Sequence, residues 1–266
     1  MRKTSKIFFC FLIGILFSGF KPNWKQIAII DIQVKIMELD YLGNIYVVSK
    51  TNQLYKYNPK GVLLSTLNYS YLGNISHLDC SNPMELYLFY RELNSIVFLD
   101  NNLAFRGKIN LSEFGNIQAI TMGRAYDNGI WLFDISDLQL KKVERDGKVT
   151  QQSGNSLQFV AKNKLSPNSI RDNGNQVFMN DSAVGILVFD AFANYLKTIP
   201  LKGISNFSVA EKDLTYLEGS NLIRYRFGDK GRDTLQLPDI ESLQAKMFKQ
   251  NVYIFDSKQL HIYSFE

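Results

Sequence analysis

Few residues of this chain carry the chemistry that enzymes need, and they form no recognised catalytic pattern. The 266 residues include only two histidines, His77 and His261, and two cysteines, Cys10 and Cys80. These numbers exclude a disulfide scaffold and a Cys/His zinc cluster, and we expect Cys80 to be a buried small apolar residue. The sequence holds no Gly-rich phosphate loop, Gly-x-Ser-x-Gly elbow, His-Glu-x-x-His motif or EF-hand loop. We therefore expect no catalytic residues and no cofactor.

Carboxylates are the other candidates, because acidic residues from several repeats could hold calcium on a common axis. Glu38, Asp79, Asp172 and Glu211 lie beside the connections of a repeated β unit. Such residues more often bond to the backbone of turns or face solvent. We expect this role for all four and predict no metal site.

The N-terminus has the layout of a secretory signal peptide. Three basic residues among the first six precede an apolar run at residues 7–17, and cleavage is expected after Ser18 or Gly19. The run is shorter than the roughly 20 residues of a transmembrane helix. An uncleaved N-terminal anchor is the alternative. We predict a leader at residues 1–19, a single domain at residues 20–266, and a periplasmic or outer-membrane-associated location.

The charge of the chain argues against a nucleic-acid partner. The whole sequence has a formal net charge of +5, and loss of the three basic residues of the leader leaves 27 basic against 25 acidic residues, or +2. Nucleic-acid binding needs clustered Lys and Arg, whereas here the basic residues are scattered among Asp and Glu.

A repeated β unit must position all of these residues. In its clearest copy, residues 40–64, two strands and a third apolar strand are separated by a polar turn and an Asn-Pro-Lys-Gly turn. Polar and apolar residues alternate with a period of two, which is typical of strands. Asn, Asp and Gly at the turns supply the backbone conformations that tight hairpins need.

Two independent markers place six copies of the unit in one register. A Gly-Asn-Ile sequence at 73–75 and again at 115–117 leads into the next innermost strand. An aromatic residue also recurs in the second strand of each copy, at intervals of 37 to 47 residues: Tyr46, Tyr87, Trp131, Phe178, Tyr216 and Tyr253. Four-stranded units of about 40 residues are typical of propeller blades. The sequence therefore predicts an all-β fold, a six-bladed β-propeller with four-stranded blades.

The two ends of the chain are expected to close this ring. The sixth unit ends after its third strand, and residues 26–30 offer a spare strand before the first innermost strand, residues 34–39. Pairing the spare strand with the last unit would remove an exposed sheet edge. We predict that the N-terminal strand completes the last blade.

The first repeat, residues 40–61, resembles an NHL-type repeat in its acidic Gly-Asn turn, its Ile-Tyr-Val strand and its closing Gly turn. The resemblance is good over this blade and degenerate over the other five. It implies a propeller that serves as a binding platform, some of which hold a metal in the central channel. Enzymatic members rely on histidines or clustered acidic residues near the axis. Here His77 and His261 fall in different repeats, and His261 lies in a third strand, so an active site is not implied.

One face of the predicted propeller carries residues suited to a protein interface. This face holds the connections between blades and the turns between second and third strands. Interfaces concentrate aromatic residues and arginine, although packing between blades is an alternative role for them. We predict a partner-binding patch formed by Tyr69, Tyr71, Leu72, Tyr90, Arg91 and Phe114.

Together these features predict a non-catalytic, exported propeller that acts as a protein-binding or scaffold subunit. Its partners are expected among bacterial envelope or secretion proteins, for example a type 9-like secretion system, with membrane contact only through a partner or an uncleaved leader. The alternatives are a metal-dependent hydrolase or lactonase and a sugar-binding propeller that uses the central channel. An enzyme predicts three or more acidic or Asn side chains that converge at the axis, in a deep pocket with perturbed pKa values. A scaffold predicts a filled or featureless channel and an apolar, aromatic patch on a face or rim.

Overall fold

The computed structural model describes residues 22–68, 72–160 and 165–265. Their strands form six four-stranded antiparallel sheets arranged as the blades of a propeller, which confirms the predicted architecture. Within these ranges, helical structure is limited to 3-10 turns and one short helix, Ser156–Val160. The predicted leader lies outside the described residues.

The strands of each blade follow one another in chain order from the innermost to the outermost, except that β1 (Trp24–Asp31) is the outermost strand of blade 6. Blades 1 to 3 contain β2 (Val34–Leu39), β3 (Ile45–Ser49), β4 (Leu54–Tyr57) and β5 (Leu63–Leu67); β6 (His77–Asp79), β7 (Glu85–Tyr90), β8 (Ser95–Asp100) and β9 (Phe105–Asn110); and β10 (Ala119–Arg124), β11 (Ile130–Asp134), β12 (Gln139–Val143) and β13 (Val149–Gln152). Blades 4 to 6 contain β14 (Ser169–Asp172), β15 (Gln176–Asp181), β16 (Gly185–Asp190) and β17 (Tyr195–Ile199); β18 (Phe207–Val209), β19 (Asp213–Glu218), β20 (Asn221–Arg226) and β21 (Arg232–Gln236); and β22 (Gln244–Phe248), β23 (Asn251–Phe255) and β24 (Gln259–Phe265).

The hydrophobic core lies between neighbouring blades, because alternate residues of each strand face opposite sides of the sheet. In β3, Tyr46 and Val48 pack against blade 2, whereas Ile45 and Val47 pack against blade 6. All six aromatic markers lie in the second strand of their blades and are buried. The markers thus identify the strand that contributes to the core on both of its faces.

The ring closes as predicted, by pairing of β1 with β24. Trp24 lies opposite Phe265 and Ile30 lies opposite Leu260, in an antiparallel register with one irregularity between Gln26 and Ala28. The strand is longer than the predicted residues 26–30, since it runs from Trp24 to Asp31. The last blade therefore combines residues from both ends of the chain.

The antiparallel order defines two faces of the propeller. We call the face with the turns after the first and third strands the hairpin face; it includes residues 40–44, 80–84 and 125–129. The opposite face has the turns after the second strand and the links between blades. We call it the connection face, and it includes residues 91–94 and 111–118. The innermost strands β2, β6, β10, β14, β18 and β22 surround a central channel between the two faces.

Asn and Asp side chains stabilise the turns, as their types predict. Asn58 and Asp100 occupy equivalent turns, and each accepts hydrogen bonds from the backbone amides two and four residues later. Asn52 and Asn94 adopt left-handed conformations, with φ of 64° and 45°. Their side-chain amides bond to backbone groups of the connection into the next blade. These two residues therefore fix neighbouring blades relative to each other.

Candidate functional site in the channel and on the two faces

The structure describes four of the six residues of the predicted connection-face patch; Tyr69 and Tyr71 lie outside the described residues. Arg91 begins a one-turn 3-10 helix and is exposed on this face. Leu72 is half-buried against the core between blades 1 and 2, and Tyr90 is buried in the same core. Both side chains therefore contribute to packing between blades.

Phe114 also packs between blades. It is half-buried against the core of blades 2 and 3, and a Cβ atom placed on Gly147 would lie 2.0 Å from its ring. Among the described residues of the patch, only Arg91 presents an exposed side chain. The binding role of the patch stays a prediction that depends on Tyr69, Tyr71 and Arg91.

A buried charged cluster crosses the channel. Glu38 of blade 1 contacts Arg171 of blade 4 and Lys246 of blade 6, and each cation lies 2.7 Å from a different carboxylate oxygen. Burial favours a higher pKa for Glu38, but the two cations outweigh this effect and hold its pKa below the ordinary value. The carboxylate is therefore ionised at neutral pH and fully paired.

Asp79 is a second channel carboxylate, at the end of β6. It accepts hydrogen bonds from the Arg124 amide at 2.9 Å, the Ser81 amide at 3.0 Å and the Ser81 hydroxyl at 2.6 Å. Burial would raise the pKa of Asp79, yet Arg171 and these hydrogen bonds together lower it. Burial raises the pKa of the neighbouring Cys80 well above its ordinary value, so this free thiol is protonated and packs as an apolar group.

The other two acidic candidates do not reach the channel cluster. Asp172 accepts hydrogen bonds from the Trp131 indole at 2.8 Å and from the Tyr126 amide at 3.0 Å, and Glu211 is exposed in a turn of the hairpin face. Across the described ranges, no group of three or more His, Cys, Asp or Glu side chains is placed to hold a metal ion. The channel carboxylates do not fit a metal, because cations and backbone amides already occupy them.

His77 lies on the innermost strand of blade 2, whereas His261 lies on the third strand of blade 6, as the repeat register predicts. The Nε2 atom of His77 is 2.9 Å from the Asn168 carbonyl oxygen and 3.1 Å from the Thr121 hydroxyl. A carbonyl can only accept, so Nε2 carries the proton. Burial lowers the pKa of His77 to about 4, and the ring is neutral at physiological pH.

A polar pocket of about 130 Å³ lies at the connection-face end of the channel. Most of its polar lining comes from residues at or near the start of the innermost strands: Ser76, His77, Asn168, Ser169, Ser205, Asn206 and Gln244. The charged pair Glu38 and Arg171, which lies further along these strands, completes the polar lining. Three apolar side chains complete the wall: Ile36, Leu78 and Met122. The channel is therefore neither featureless nor completely filled, and the expectation of a filled or featureless channel for a scaffold is wrong here.

Sequence reasoning missed this pocket. Asn168 and Asn206 precede innermost strands in different blades and belong to no recognisable motif. Their position just before an innermost strand is the one available signal, since the ring brings such positions together at the channel mouth.

The hairpin face carries an exposed group that sequence reasoning also missed. Tyr41, Leu42, Met84 and Tyr126 lie in the innermost turns of blades 1, 2 and 3, with 52%, 56%, 63% and 79% of their surfaces exposed. We call these four residues the apolar arc. The equivalent turns of blades 4 to 6 have polar sequences: Asn-Gly-Asn, Glu-Lys and Lys-Gln. The arc therefore occupies one half of the ring.

Comparisons with known proteins show the fold and no family. No family model matches the sequence, and no curated protein matches it. Solved propeller structures align over almost the whole chain. Virginiamycin B lyase from Staphylococcus aureus covers 92% of this chain and 100% of its own, with a TM-score of 0.63 and 10% identity. The Pan2 WD40 domain of Neurospora crassa covers 92% and 96%, with a TM-score of 0.59 and 6% identity.

A protein of Bacteroides fragilis assigned as exported aligns equally well, over 91% of this chain and 95% of its own, with a TM-score of 0.60 and 11% identity. The three structures comprise an enzyme, a WD40 domain and an exported protein, so the shared fold does not select one function. The NHL-type resemblance stays a prediction. Among the described residues, no helix is long and apolar enough to span a membrane.

Proposed function

We propose that this chain is an exported, non-catalytic β-propeller that binds a protein partner through the apolar arc of its hairpin face. The exposure of the apolar arc is the main observation that supports this proposal. Tyr41, Leu42, Met84 and Tyr126 are more than half exposed, and aromatic residues and methionine are the types enriched in protein interfaces. Three neighbouring blades contribute these residues to the same face, and exposed apolar groups gathered on one face are a feature of interaction sites.

The channel chemistry supports a non-catalytic role. Hydrolysis needs a base, a nucleophile or a metal-bound water whose reactive atom is available. Burial lowers the pKa of His77 to about 4, so its unpartnered nitrogen, Nδ1, is a weak base. Glu38 is paired through both oxygens, and Asp79 is bonded to backbone and hydroxyl groups. These contacts hold the groups in place and leave neither of these two carboxylates available for general-base catalysis.

The proposed location and partner class follow from the N-terminal sequence. Residues 1–19 have the order of charge and hydrophobicity of a signal peptide, and one structural neighbour is assigned as an exported protein. We propose a partner in the bacterial envelope, with a type 9-like secretion complex as the specific case. The connection-face patch of Tyr69, Tyr71 and Arg91 is the competing interface.

Affinity capture with variants of each face tests the proposal. A tagged full-length chain is recovered from the native membrane fraction beside a hairpin-face variant, Tyr41→Ser, Met84→Ser and Tyr126→Ser combined. The matched control combines Leu93→Ser, Ile135→Ser and Leu243→Ser, which are 43%, 41% and 48% exposed and lie on the connection face. Circular dichroism is used to check that each variant is folded.

We expect a stoichiometric envelope protein to be lost from the hairpin-face variant and retained by the control. Loss from the control alone would assign binding to the connection face and overturn the role of the arc. Recovery of no partner, together with hydrolysis of ester or lactone substrates by the purified chain, would favour the enzymatic alternative.

A further inference from the structure

We propose that the polar pocket at the connection-face end of the channel binds a small carboxylate, with Arg171 as the group that recognises its charge. This inference concerns a different site from the apolar arc and does not depend on a protein partner. It rests on the hydrogen bonds that Arg171 makes, on the side chains around it and on the size of the pocket.

Arg171 is held in place but is not saturated. Its Nη2 atom makes one short contact, 2.7 Å to Glu38. The other hydrogen bonds of the guanidinium are long. Nε donates to the Phe207 carbonyl at 3.4 Å, Nη1 to the Ile170 carbonyl at 3.4 Å and Nη2 to Asn206 Oδ1 at 3.5 Å. Good N–H···O hydrogen bonds are about 2.7–3.2 Å, and a guanidinium has five N–H donors. The side chain retains 18% of its exposed surface and lines the pocket, so donors are available to an incoming acceptor.

The neighbouring side chains can complete the coordination of a carboxylate. Gln244 lines the pocket, and its Nε2 amide group can donate to a carboxylate, whereas its Oε1 atom, which can only accept, has no hydrogen-bond partner among the described residues. The Nδ2 atom of Asn206 makes only a long contact, 3.4 Å to Glu38, and Ser205 adds a hydroxyl to the same wall. Amide N–H and hydroxyl groups donate to carboxylate oxygens, and a charge-assisted bond to arginine is the strongest in such a set.

The charges around the pocket leave a small positive excess. In the channel cluster the two cations Arg171 and Lys246 balance the two carboxylates Glu38 and Asp79, so the excess comes from the connection face. Lys35 reaches the carbonyl of Ile75 at the same end of the channel, and exposed Arg91 lies on the same face. Glu92 is the acidic group beside them. The neutral ring of His77 adds no charge.

The volume selects a short ligand. A protein cavity of about 150 Å³ can hold one benzene molecule, so the pocket of about 130 Å³ suits a ligand of about that size. The wall of Ile36, Leu78 and Met122 suits a short aliphatic chain. The same chemistry occurs in a free short-chain acid and in the C-terminus of a peptide.

Ligand-observed NMR on the full-length chain tests the site with matched probes. Butyrate is compared with butyramide, which has nearly the same shape without the charge, and with N-acetylalanylalanine as a peptide terminus. Methyl glucoside represents a neutral sugar. All probes are used at about 10 mM, which detects millimolar affinity. Tighter binding of butyrate identifies a free acid as the source, and tighter binding of the dipeptide identifies a peptide terminus.

Three variants connect binding to the pocket. Arg171→Lys keeps the charge but loses the planar fork, and we expect butyrate affinity to fall about tenfold or more. Gln244→Leu removes one hydrogen-bond donor that is not part of the ion pair. This variant tests the site if Arg171→Lys does not fold. Gln139→Leu is its matched control, because Gln139 also has an unpartnered Oε1 but lies on the third strand of blade 3. We expect Gln244→Leu to weaken binding and Gln139→Leu to leave it unchanged.

Equal binding of butyrate and butyramide would overturn the proposal, as would binding of methyl glucoside without butyrate. Absence of binding by both carboxylate probes, or equal effects of Gln244→Leu and Gln139→Leu, would also overturn it.

Discussion

Burial in the channel changes the acid–base behaviour of His77. The ring packs on the innermost strand, and only Nε2 has partners, the Asn168 carbonyl and the Thr121 hydroxyl. Desolvation disfavours the imidazolium, and the nearby Arg171 and Arg91 add repulsion, whereas the Asn168 hydrogen bond and Glu38 act in the opposite direction. The net result is a pKa of about 4 in the folded chain, against 6.5 ordinarily.

This difference predicts a loss of stability in mild acid. Between pH 6.5 and about 4 the unfolded chain binds a proton on His77 that the folded chain does not bind. The contribution of His77 to the free energy of unfolding is therefore fully present above pH 6.5, and it falls by about 3 kcal/mol as the pH approaches 4. Urea unfolding across this range should show a smaller pH dependence for His77→Gln than for His261→Gln. Identical slopes in the two variants would contradict this role of His77.

Glu38 should be among the most sensitive positions for stability. The substitution Glu38→Gln keeps the shape of the side chain but leaves Arg171 and Lys246 without their shared carboxylate. Removal of one member of a buried ion pair costs about 3–5 kcal/mol. We expect a decrease of this size in the free energy of unfolding, measured with denaturant.

The control for Glu38→Gln is Glu218→Gln, because Glu218 is exposed and pairs with Arg232. An exposed pair contributes at most about 1 kcal/mol. If both variants lose the same stability, the channel cluster does not stabilise the fold through its ion pairs.

At the scale of strands and turns, the sequence is highly informative because its signals are local. Alternation of polar and apolar residues and the Asn, Asp and Gly turns locate the second strand of every blade. Less could be predicted for β1, which extends to Trp24 and Asp31 and contains an irregularity after Gln26. Such an irregularity depends on the partner strand β24, which is more than 200 residues away.

The contact of Phe114 with the turn at Gly147 gives an element-scale prediction. Gly147 has a φ of +82°, and an added Cβ would lie 2.0 Å from the Phe114 ring, whereas Gly115 has a φ of +89° with no atom within 4 Å of such a Cβ. Both Gly→Ala variants have the same backbone strain, so the difference between their stabilities measures the clash of the added Cβ with the Phe114 ring. We expect Gly147→Ala to be less stable than Gly115→Ala by about 1–3 kcal/mol in thermal unfolding. Equal melting temperatures would show that Phe114 moves away without cost.

At the scale of the whole molecule, stability depends on closure of the ring. A chain without residues 1–31 lacks β1 and leaves the edge of β24 unpaired, whereas a chain without residues 1–21 keeps the strand. Exposed edges promote association. We expect the shorter chain to aggregate in gel filtration and the longer one to be monomeric and cooperative. Addition of a peptide of residues 22–33 should restore the monomeric state of the shorter chain. A shorter chain that is monomeric and as stable as the longer one without the peptide would refute closure by β1.

The functional surfaces were predictable only in part, because they depend on the ring and not on local sequence. Tyr90 is the last residue of β7, and its side chain turns into the core between blades 1 and 2 where the sequence predicts an interface residue. The apolar arc and the pocket combine residues from several blades. Each blade alone shows an ordinary turn, so only their arrangement around the channel reveals a surface.

The central claim, that the hairpin face binds a protein partner, is tested most directly by site-specific photo-crosslinking in the native cells. A photoreactive benzoylphenylalanine replaces Tyr126, which is 79% exposed on the hairpin face, or Leu243, which is 48% exposed on the connection face. We expect one discrete cross-linked protein from position 126 and none from position 243. A cross-link from position 243 alone, or none from either position, would contradict the claim.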